Sequence, residues 1–261
     1  MGVTTRSCWA DVHPAIQRAV EARTGPVRGV RDAPDVDGAL AVVVDTWTES
    51  VLVRGARIGD QRGREALRAE AAVAALELEH VPALKWRAMV GAWDLVATAL
   101  APGRPADLSP GSPDVTRLGD MLRRSCGSTI RGMLPEYADR WLDWTIRPEL
   151  ERLRGSRLLH TCMCPAHVLV TRDSVAVVDW RRAARGPAWV DAAYALVQLV
   201  EAGHRPDAAL GWVRKVPAWS AASPEALATW GAAHSRYWTA QSLAERAEIA
   251  QELMAGAAVH V

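Results

Sequence analysis

The first hundred residues carry repeated short apolar runs of the length of β-strands. Four such runs predict an antiparallel sheet, and they cover 39–46, 50–54, 83–89 and 93–100. Trp47-Thr48-Glu49 separates the first two runs and predicts a hairpin turn. Leucine and alanine recur at helical spacing over 61–78, which predicts a helix after the hairpin. An earlier helix is predicted at 13–22, where Pro14 suits a first helical turn.

Helical periodicity dominates the second part of the chain. The predicted helices cover 115–124, 136–154, 188–202, 206–213 and 224–257. Asp114 is the predicted N-cap of the first of these helices. A break is expected near Gly231 in the last one, because glycine is a poor helix former.

A proline- and glycine-rich stretch at 102–113 separates the two patterns. We therefore predict an N-terminal lobe at 1–100 and a C-terminal lobe at 101–261, with the boundary between Leu95 and Arg104. A chain of 261 residues exceeds the usual size of a single core, which agrees with two lobes. The predicted fold class is α+β, with a small antiparallel-sheet N-terminal lobe and a mainly helical C-terminal lobe.

The composition narrows the class of protein. Hydrophobic residues make up 49% of the chain and charged residues 23%, enough for a substantial core. The formal net charge of +1 gives no electrostatic case for a nucleic-acid partner or an acidic membrane surface. No apolar run reaches about 18 residues and no signal sequence begins the chain, so a cytoplasmic location without membrane association is expected.

Reactive side chains are most concentrated in the segment His160-Thr161-Cys162-Met163-Cys164-Pro165-Ala166-His167. Its two thiols and two imidazoles are soft donors that suit zinc, copper or iron better than magnesium. Their spacing is tighter than that of common structural zinc motifs. From these residues alone, Cys162 is an inert buried thiol, a metal ligand or a nucleophile activated by an imidazole.

Asp179 follows this segment in the apolar-apolar-acid pattern Val177-Val178-Asp179. The two segments together resemble the catalytic loop of the aminoglycoside phosphotransferase family of small-molecule kinases. In that family His-Gly-Asp-x-x-x-x-Asn precedes a hairpin with a hydrophobic-hydrophobic-Asp triplet. Cys162 stands at the position of the base Asp, and His167 stands at the position of the metal-binding Asn.

The resemblance covers roughly 24–198 and implies a bilobal protein-kinase-like fold, with a catalytic-loop-like segment at 158–180. It extends to Gly186-Pro187-Ala188-Trp189-Val190-Asp191, where Asp191 would brace the catalytic loop. The segment 106–114 is similar to that of actinobacterial members of the family.

The resemblance also implies roles for the site residues. Cys162, Asp179 and His160 occupy the catalytic positions, and His160 would pack inward under the loop. Cys162, His167 and Asp179 would converge on one cavity as metal ligands, with Cys164 at its rim. The pair Arg181-Arg182 is expected at the surface.

The expected nucleotide contacts also depart from the family pattern. Arg54 stands where the family has a phosphate-pairing lysine, and Glu70 or Glu65 would be its partner. The glycine-rich cover over the phosphates should fall at about 30–40, but 31–38 brings one glycine and three acids. Those acids would repel a triphosphate.

Phosphoryl transfer requires a positioned carboxylate base, oxygen ligands for magnesium and a phosphate-pairing cation. We therefore expect a pseudokinase that has lost ordinary Mg-ATP phosphotransfer and that binds a small-molecule or protein partner in the interlobe cleft. One alternative is an enzyme that uses a thiol or a soft metal such as zinc at Cys162, His167 and Asp179. Another is a residual small-molecule kinase with weakened Mg-ATP binding.

Overall fold

Two units with different architectures make up the chain. The structure is a computed structural model, and it describes Trp9 and residues 12–33, 40–125, 128, 130 and 134–258. Unit 1 comprises Met1–Pro102 and Ala176–Arg181, and unit 2 comprises Gly103–Val175 and Arg182–Val261. An antiparallel sheet dominates the first unit and helices dominate the second, which confirms the predicted α+β fold class.

A five-stranded antiparallel sheet organises unit 1, with strand order β1-β2-β3-β5-β4. The elements of this unit are α1 (Pro14–Thr24), β1 (Val27–Asp32), β2 (Leu40–Thr46), β3 (Ser50–Arg57), α2 (Gln61–Ala74), β4 (Leu84–Val90) and β5 (Trp93–Ala99). The predicted hairpin turn is confirmed, because Thr46 N–H donates to the Glu49 carbonyl at 2.9 Å. The start of the predicted strand at 39 and most of the expected phosphate cover lie outside the described residues.

Helices cover both faces of this sheet. On one face, Ile16 and Val20 of α1 share an apolar cluster with Val42, Val53 and Leu95 of the sheet. On the other face, Leu67 and Ala71 of α2 pack with Ala56 and Val96. Strand β2 is buried on both faces. Its residues are apolar along nearly its whole length, as expected of such a strand.

Helix α2 is shorter than predicted. Asp60 caps its start by accepting a hydrogen bond from Gly63 N–H at 2.9 Å. The helix ends at Ala74 instead of continuing to residue 78. Leu76 N–H already bonds three residues back to Val73, and Glu77 takes a positive φ of 52°, so the helical hydrogen-bond ladder stops there.

Unit 2 is mainly helical, with short strands around the loop 160–167. Its elements are β6 (Arg104–Pro105), α3 (Pro113–Ser125), α4 (Arg147–Leu150), β7 (Arg157–Leu159), β8 (Val168–Val170), β10 (Ala184–Gly186), α5 (Val190–Glu201), α6 (Pro206–Val213), α7 (Pro224–Ala240) and α8 (Ala244–Ala258). Strand β9 (Val175–Val177) runs from this unit into the 176–181 segment of unit 1. Within the described residues, no helix is long and apolar enough to span a membrane.

The single helix predicted over 136–154 is wrong. The chain instead forms 3-10 turns at Ala138–Trp141 and Glu151–Leu153 on either side of α4. Pro148 explains the interruption, because proline has no N–H to donate and fits only the first turn of a helix, where it lies in α4.

The predicted break at Gly231 is also wrong. Gly231 lies inside α7, and the chain turns instead between α7 and α8. A Cβ atom at Gly231 would meet Met254 Cβ of α8 at 2.8 Å. The glycine therefore permits close packing of these two helices.

Asp114 is not the N-cap of α3, because the helix already begins at Pro113. Its buried carboxylate accepts hydrogen bonds from Arg104 at 2.6 Å, Asp107 N–H at 3.0 Å and Arg117 at 2.9 Å. Burial by itself would raise the pKa of Asp114, but these donors outweigh burial and lower it. The carboxylate thus attaches the segment 104–107 to α3.

Gly155 lies where the chain before β7 passes closest to the end of β10. A methyl group at this position would collide with main-chain atoms of Gly186 and Pro187. We predict that Gly155→Ala lowers the free energy of unfolding by about 3 kcal/mol or more, since the backbone cannot give way as a side chain does. Urea unfolding measures this loss.

Gly211→Ala is the matched control for this prediction. The added methyl in α6 would meet nothing within 4 Å. The free energy of unfolding should stay the same or rise by up to about 1 kcal/mol, because alanine favours the helix. Equal effects of the two substitutions would contradict the proposed close approach at Gly155.

Candidate functional site

Asp191 holds the loop that connects β7 with β8. Its carboxylate lies in the first turn of α5, where it is buried. One oxygen accepts a hydrogen bond from His160 N–H and the other from Thr161 N–H, both at 2.8 Å. Burial raises the pKa of Asp191 to about 6, although the two N–H donors act in the opposite direction. The carboxylate thereby fixes the backbone at the start of the loop.

Thr161 adopts a backbone conformation that favours glycine. Its φ is 66°, which is unusual for a β-branched residue and costs of order 1–3 kcal/mol. The side-chain hydroxyl accepts a hydrogen bond from Arg140 at 3.0 Å and donates to the Arg182 carbonyl at 2.9 Å. These bonds stabilise the conformation at the position where the family pattern has glycine.

Three soft donors lie together within this loop. The two sulfurs of Cys162 and Cys164 and a ring nitrogen of His167 lie within 4.8 Å of one another, in half-buried side chains. A 3-10 turn at Pro165–His167 brings the imidazole back toward the thiols, with His167 N–H donating to the Cys164 carbonyl at 3.0 Å. The turn thus brings together donor atoms from residues that are two to five positions apart in the sequence.

Cys162 differs electrostatically from the carboxylate that the family pattern has at this position. A hydrogen bond with Cys164, together with burial, raises the pKa of Cys162 to about 12, while His167 acts in the opposite direction. The side chain is therefore a neutral thiol at neutral pH. His160 packs inward as expected, fully buried, with its ring centroid 5.6 Å from that of His167.

Asp179 lies in unit 1, where Arg181 engages both of its carboxylate oxygens. The Arg181 Nε and Nη2 atoms donate to the two oxygens at 2.6 and 2.8 Å. The side chains of Arg181 and Asp179 are 11% and 14% exposed, so the prediction of a surface position for Arg181 is wrong. The acid that the resemblance assigns to magnesium is engaged by a guanidinium group.

Arg54 and Glu70 form a buried ion pair within unit 1. Arg54 Nη1 donates to Glu70 Oε1, and both side chains are nearly inaccessible. Glu65, the other expected partner, instead accepts a hydrogen bond from Gln61 at 2.9 Å in an exposed position. The pair joins β3 to α2.

A cavity of about 380 Å³ lies beside the loop, entirely within unit 2. Its wall is rich in rings, which come from Trp141, Tyr194, His234, Tyr237 and Trp238. Cys162 and Cys164 reach it from the loop, and Arg182 and Arg246 supply cationic groups. No aspartate or glutamate is among the described residues that line it.

His234 fixes the aromatic wall through hydrogen bonds. Its Nδ1 lies 2.8 Å from the Trp230 carbonyl, which can only accept, so Nδ1 carries the proton. The Nε2 atom is therefore the acceptor, and its single lone pair faces the hydroxyls of Tyr194 at 2.8 Å and Tyr137 at 3.1 Å. Trp230 Nε1 donates to the Tyr137 hydroxyl at 2.8 Å. No local sequence pattern predicted this network, because its members are up to 97 residues apart.

The sheet-and-helix unit and the helical unit with its braced loop have the protein-kinase-like fold of the aminoglycoside phosphotransferases. A scan against protein-family models finds no match to this sequence. A search of curated proteins finds no match either.

Three solved structures illustrate the likeness in fold. A thermostable mutant of aminoglycoside phosphotransferase APH(4)-Ia, in complex with AMP-PNP and hygromycin B, superposes with a TM-score of 0.61 at 11% identity, over 95% of this chain and 98% of that one. Spectinomycin phosphotransferase APH(9)-Ia, in complex with ADP and spectinomycin, gives 0.60 at 10% identity, over 94% and 97%. Choline kinase LicA from Streptococcus pneumoniae gives 0.59 at 8% identity, over 92% and 98%.

We predict that Asp191→Asn destabilises the protein by roughly 2–4 kcal/mol. An asparagine offers one acceptor oxygen and turns its NH₂ group toward the second buried N–H, which loses its partner. The free energy of unfolding from urea titration measures the loss.

Asp173→Asn is the control for Asp191→Asn, because the Asp173 side chain is 88% exposed. It should change the free energy of unfolding by less than about 0.5 kcal/mol. A similarly small effect at Asp191 would show that its carboxylate does not hold the loop.

A second prediction concerns the pH dependence of stability. Burial lowers the pKa of His234 well below its ordinary value, and nearby Arg182 adds to the effect, whereas Tyr137 and Tyr194 present neutral hydroxyls. Below about pH 6.5 the unfolded chain binds a proton that folded His234 does not, so stability falls by up to about 1.4 kcal/mol per pH unit.

Urea unfolding between pH 5 and 7.5 tests this prediction with His234→Gln. The variant should be less stable at pH 7.5, because it loses hydrogen bonds, but its stability should fall less steeply toward pH 5. Parallel pH profiles for the two proteins would assign the acid sensitivity to other groups.

Proposed function

We propose that this protein is a pseudokinase: a phosphotransferase-fold protein that has lost ordinary Mg-ATP phosphotransfer and that acts by binding a small molecule in a regulatory role. The observation that carries the proposal is the pairing of Asp179 with Arg181 through both carboxylate oxygens. Kinases use an aspartate at the corresponding position to hold magnesium against the nucleotide phosphates.

The ion pair opposes magnesium binding in two ways. It neutralises the charge of the carboxylate, and it occupies both oxygens with a bidentate, charge-assisted contact. Magnesium is bound through oxygen ligands and loses its water reluctantly. An incoming ion would therefore have to displace Arg181 before it could use Asp179.

The loop in unit 2 supports the same conclusion. By the family resemblance, Cys162 and His167 replace the catalytic base and the second magnesium ligand. Sulfur and nitrogen donors suit magnesium poorly. Loss of a positioned base alone typically slows a reaction by about 10²- to 10⁴-fold.

Two contacts that resemble those of kinases hold the fold together. The Arg54–Glu70 pair joins sheet to helix, and Asp191 braces the loop. Both contacts stabilise the fold without contributing a base or a magnesium ligand. Their presence supports a protein that retains a binding architecture while its phosphotransfer chemistry has changed.

The cavity of unit 2 is the proposed binding site, and its wall selects a class of ligand. Arg246 is paired with Glu201 at 2.5 and 2.8 Å, and Arg182 is exposed at the cavity. Because the described lining contains no carboxylate, a polycationic ligand would meet uncompensated positive charge. The aromatic wall favours a ligand with a flat apolar surface. The exposed Arg182 favours a ligand that is neutral or anionic.

Phosphotransfer assays with the whole 261-residue chain test the proposed loss of activity. With ATP and magnesium, we expect turnover of hygromycin B, spectinomycin or choline at least 10³-fold below the roughly 1–100 s⁻¹ that is typical of kinases. Turnover within that range for any of these alcohols would overturn the proposal.

Substitutions that restore the family residues test the cause. In Cys162→Asp/His167→Asn/Arg181→Ala, magnesium should strengthen ATP binding by roughly tenfold or more, about 1.4 kcal/mol. In the double variant Cys162→Asp/His167→Asn, which keeps Arg181, magnesium should strengthen ATP binding less. Calorimetric titration with ATP, with and without magnesium, measures both.

Two controls accompany these variants. Adding Asp179→Asn to the triple variant should abolish the gain, because the freed carboxylate is its source. Arg172→Ala, at a side chain that is 94% exposed, should not substitute for Arg181→Ala. An equal gain in the double and triple variants would show that Arg181 does not block Asp179.

A further inference from the structure

We propose that Cys162, Cys164 and His167 form a binding site for a zinc ion, a site that does not depend on whether phosphotransfer is retained. The three donor atoms lie within 4.8 Å of one another in half-buried side chains. They come from a single stretch of six residues, and all belong to unit 2.

The spacing of the donors is close to what zinc needs. With Zn–S bonds of about 2.3 Å and Zn–N bonds of about 2.0–2.1 Å, a tetrahedral ion holds its ligand atoms about 3.6–3.8 Å apart. The three atoms here need to approach by about 1 Å at most, a distance that small side-chain rotations cover.

The backbone that carries the ligands is already ordered by other contacts. Asp191 anchors the two residues before Cys162. After Cys164, a 3-10 turn is closed by the hydrogen bond from His167 N–H to the Cys164 carbonyl at 3.0 Å. Because these bonds do not involve the ligand side chains, metal binding requires little additional ordering.

The chemistry of the donors selects the ion. Two thiolates and an imidazole favour zinc and other soft or borderline ions, whereas magnesium and calcium require oxygen ligands. Zinc displaces the protons of the two thiols on binding, and its charge balances that of the two thiolates formed. In this protein the same substitutions that disfavour magnesium create a set of zinc ligands.

The fourth coordination position would be supplied from the cavity. Within the described residues the ligand group contains three members, and two of them, Cys162 and Cys164, line the cavity. Three protein ligands and one exchangeable position are typical of zinc that contacts water or a small ligand. The proposed ion would thus offer the cavity ligand a point of attachment.

Metal titration of the whole 261-residue chain tests the site. The protein is prepared without a histidine tag, reduced, and freed of metal by dialysis against chelator. Competition with a chromophoric chelator should give one zinc ion per chain with a dissociation constant below about 1 μM. Cobalt(II) should bind in zinc's place and produce the thiolate-to-cobalt charge-transfer absorption of a Cys-ligated ion.

Single substitutions identify the ligands. Cys162→Ser, Cys164→Ser and His167→Gln should each weaken zinc binding by about 10²-fold or more and reduce the cobalt absorption, in proteins whose circular dichroism shows them to be folded. Cys126→Ser and Cys8→Ser should leave both readouts unchanged.

Three outcomes would overturn the proposal. The first is the absence of stoichiometric zinc, and the second is zinc binding that persists in the Cys162, Cys164 and His167 variants. The third is binding that is lost in Asp179→Asn but kept in Cys164→Ser, since that result would assign the ion to a different ligand set. None of these readouts depends on phosphotransfer, so the pseudokinase proposal stands or falls separately.

Discussion

The hydrogen bonds from the His160 and Thr161 N–H groups to the Asp191 carboxylate are the contact on which the candidate site depends. They attach the loop to the first turn of α5 and hold Thr161 at a positive φ that its side chain disfavours. The thiols and imidazole that follow occupy one volume because the backbone before them is fixed. A functional loop built in this way tolerates changes in its reactive side chains, since the bracing contacts lie elsewhere.

Ion pairing determines which ligands the charged residues of the two units are able to bind. In unit 1, Arg54 is paired with Glu70, and Asp179 is paired with Arg181. Each of these charged side chains therefore has an oppositely charged partner. Breaking such a buried pair leaves an uncompensated charge, and the pairs are therefore expected to persist. In unit 2, Arg246 is paired with Glu201 and lies over the Trp238 ring, while Arg182 is exposed at the cavity. The resulting surface suits ligands unlike the amine-rich substrates that carboxylate-lined pockets bind.

The proposed loss of magnesium chemistry and the proposed zinc site draw on the same departures from the family pattern. Replacing oxygen donors by sulfur and imidazole nitrogen changes the preferred ion from a hard cation to a soft one without moving the backbone. Cys162 and His167 thus bear on both the pseudokinase proposal and the metal-site proposal. They remain separable because the first rests on Asp179 and Arg181, and the second rests on Cys162, Cys164 and His167.

The sequence by itself predicted four of the five strands of unit 1, several helices of unit 2 and the loop that carries the soft donors, because apolar periodicity and local motifs encode them. It missed β1, whose residues Val27–Asp32 alternate with charged side chains and form no apolar run. It missed the interruption at Pro148, a residue that disfavours a helix interior and could have been read from the sequence. It also placed a break at Gly231, where the helix continues, since whether a glycine interrupts a helix or admits a neighbour depends on distant residues such as Met254. Only the tertiary structure paired Arg181 with Asp179, placed Cys164 beside His167 and assembled the wall around His234. Those arrangements depend on side-chain direction and on contacts between residues up to 97 positions apart, which no local pattern records.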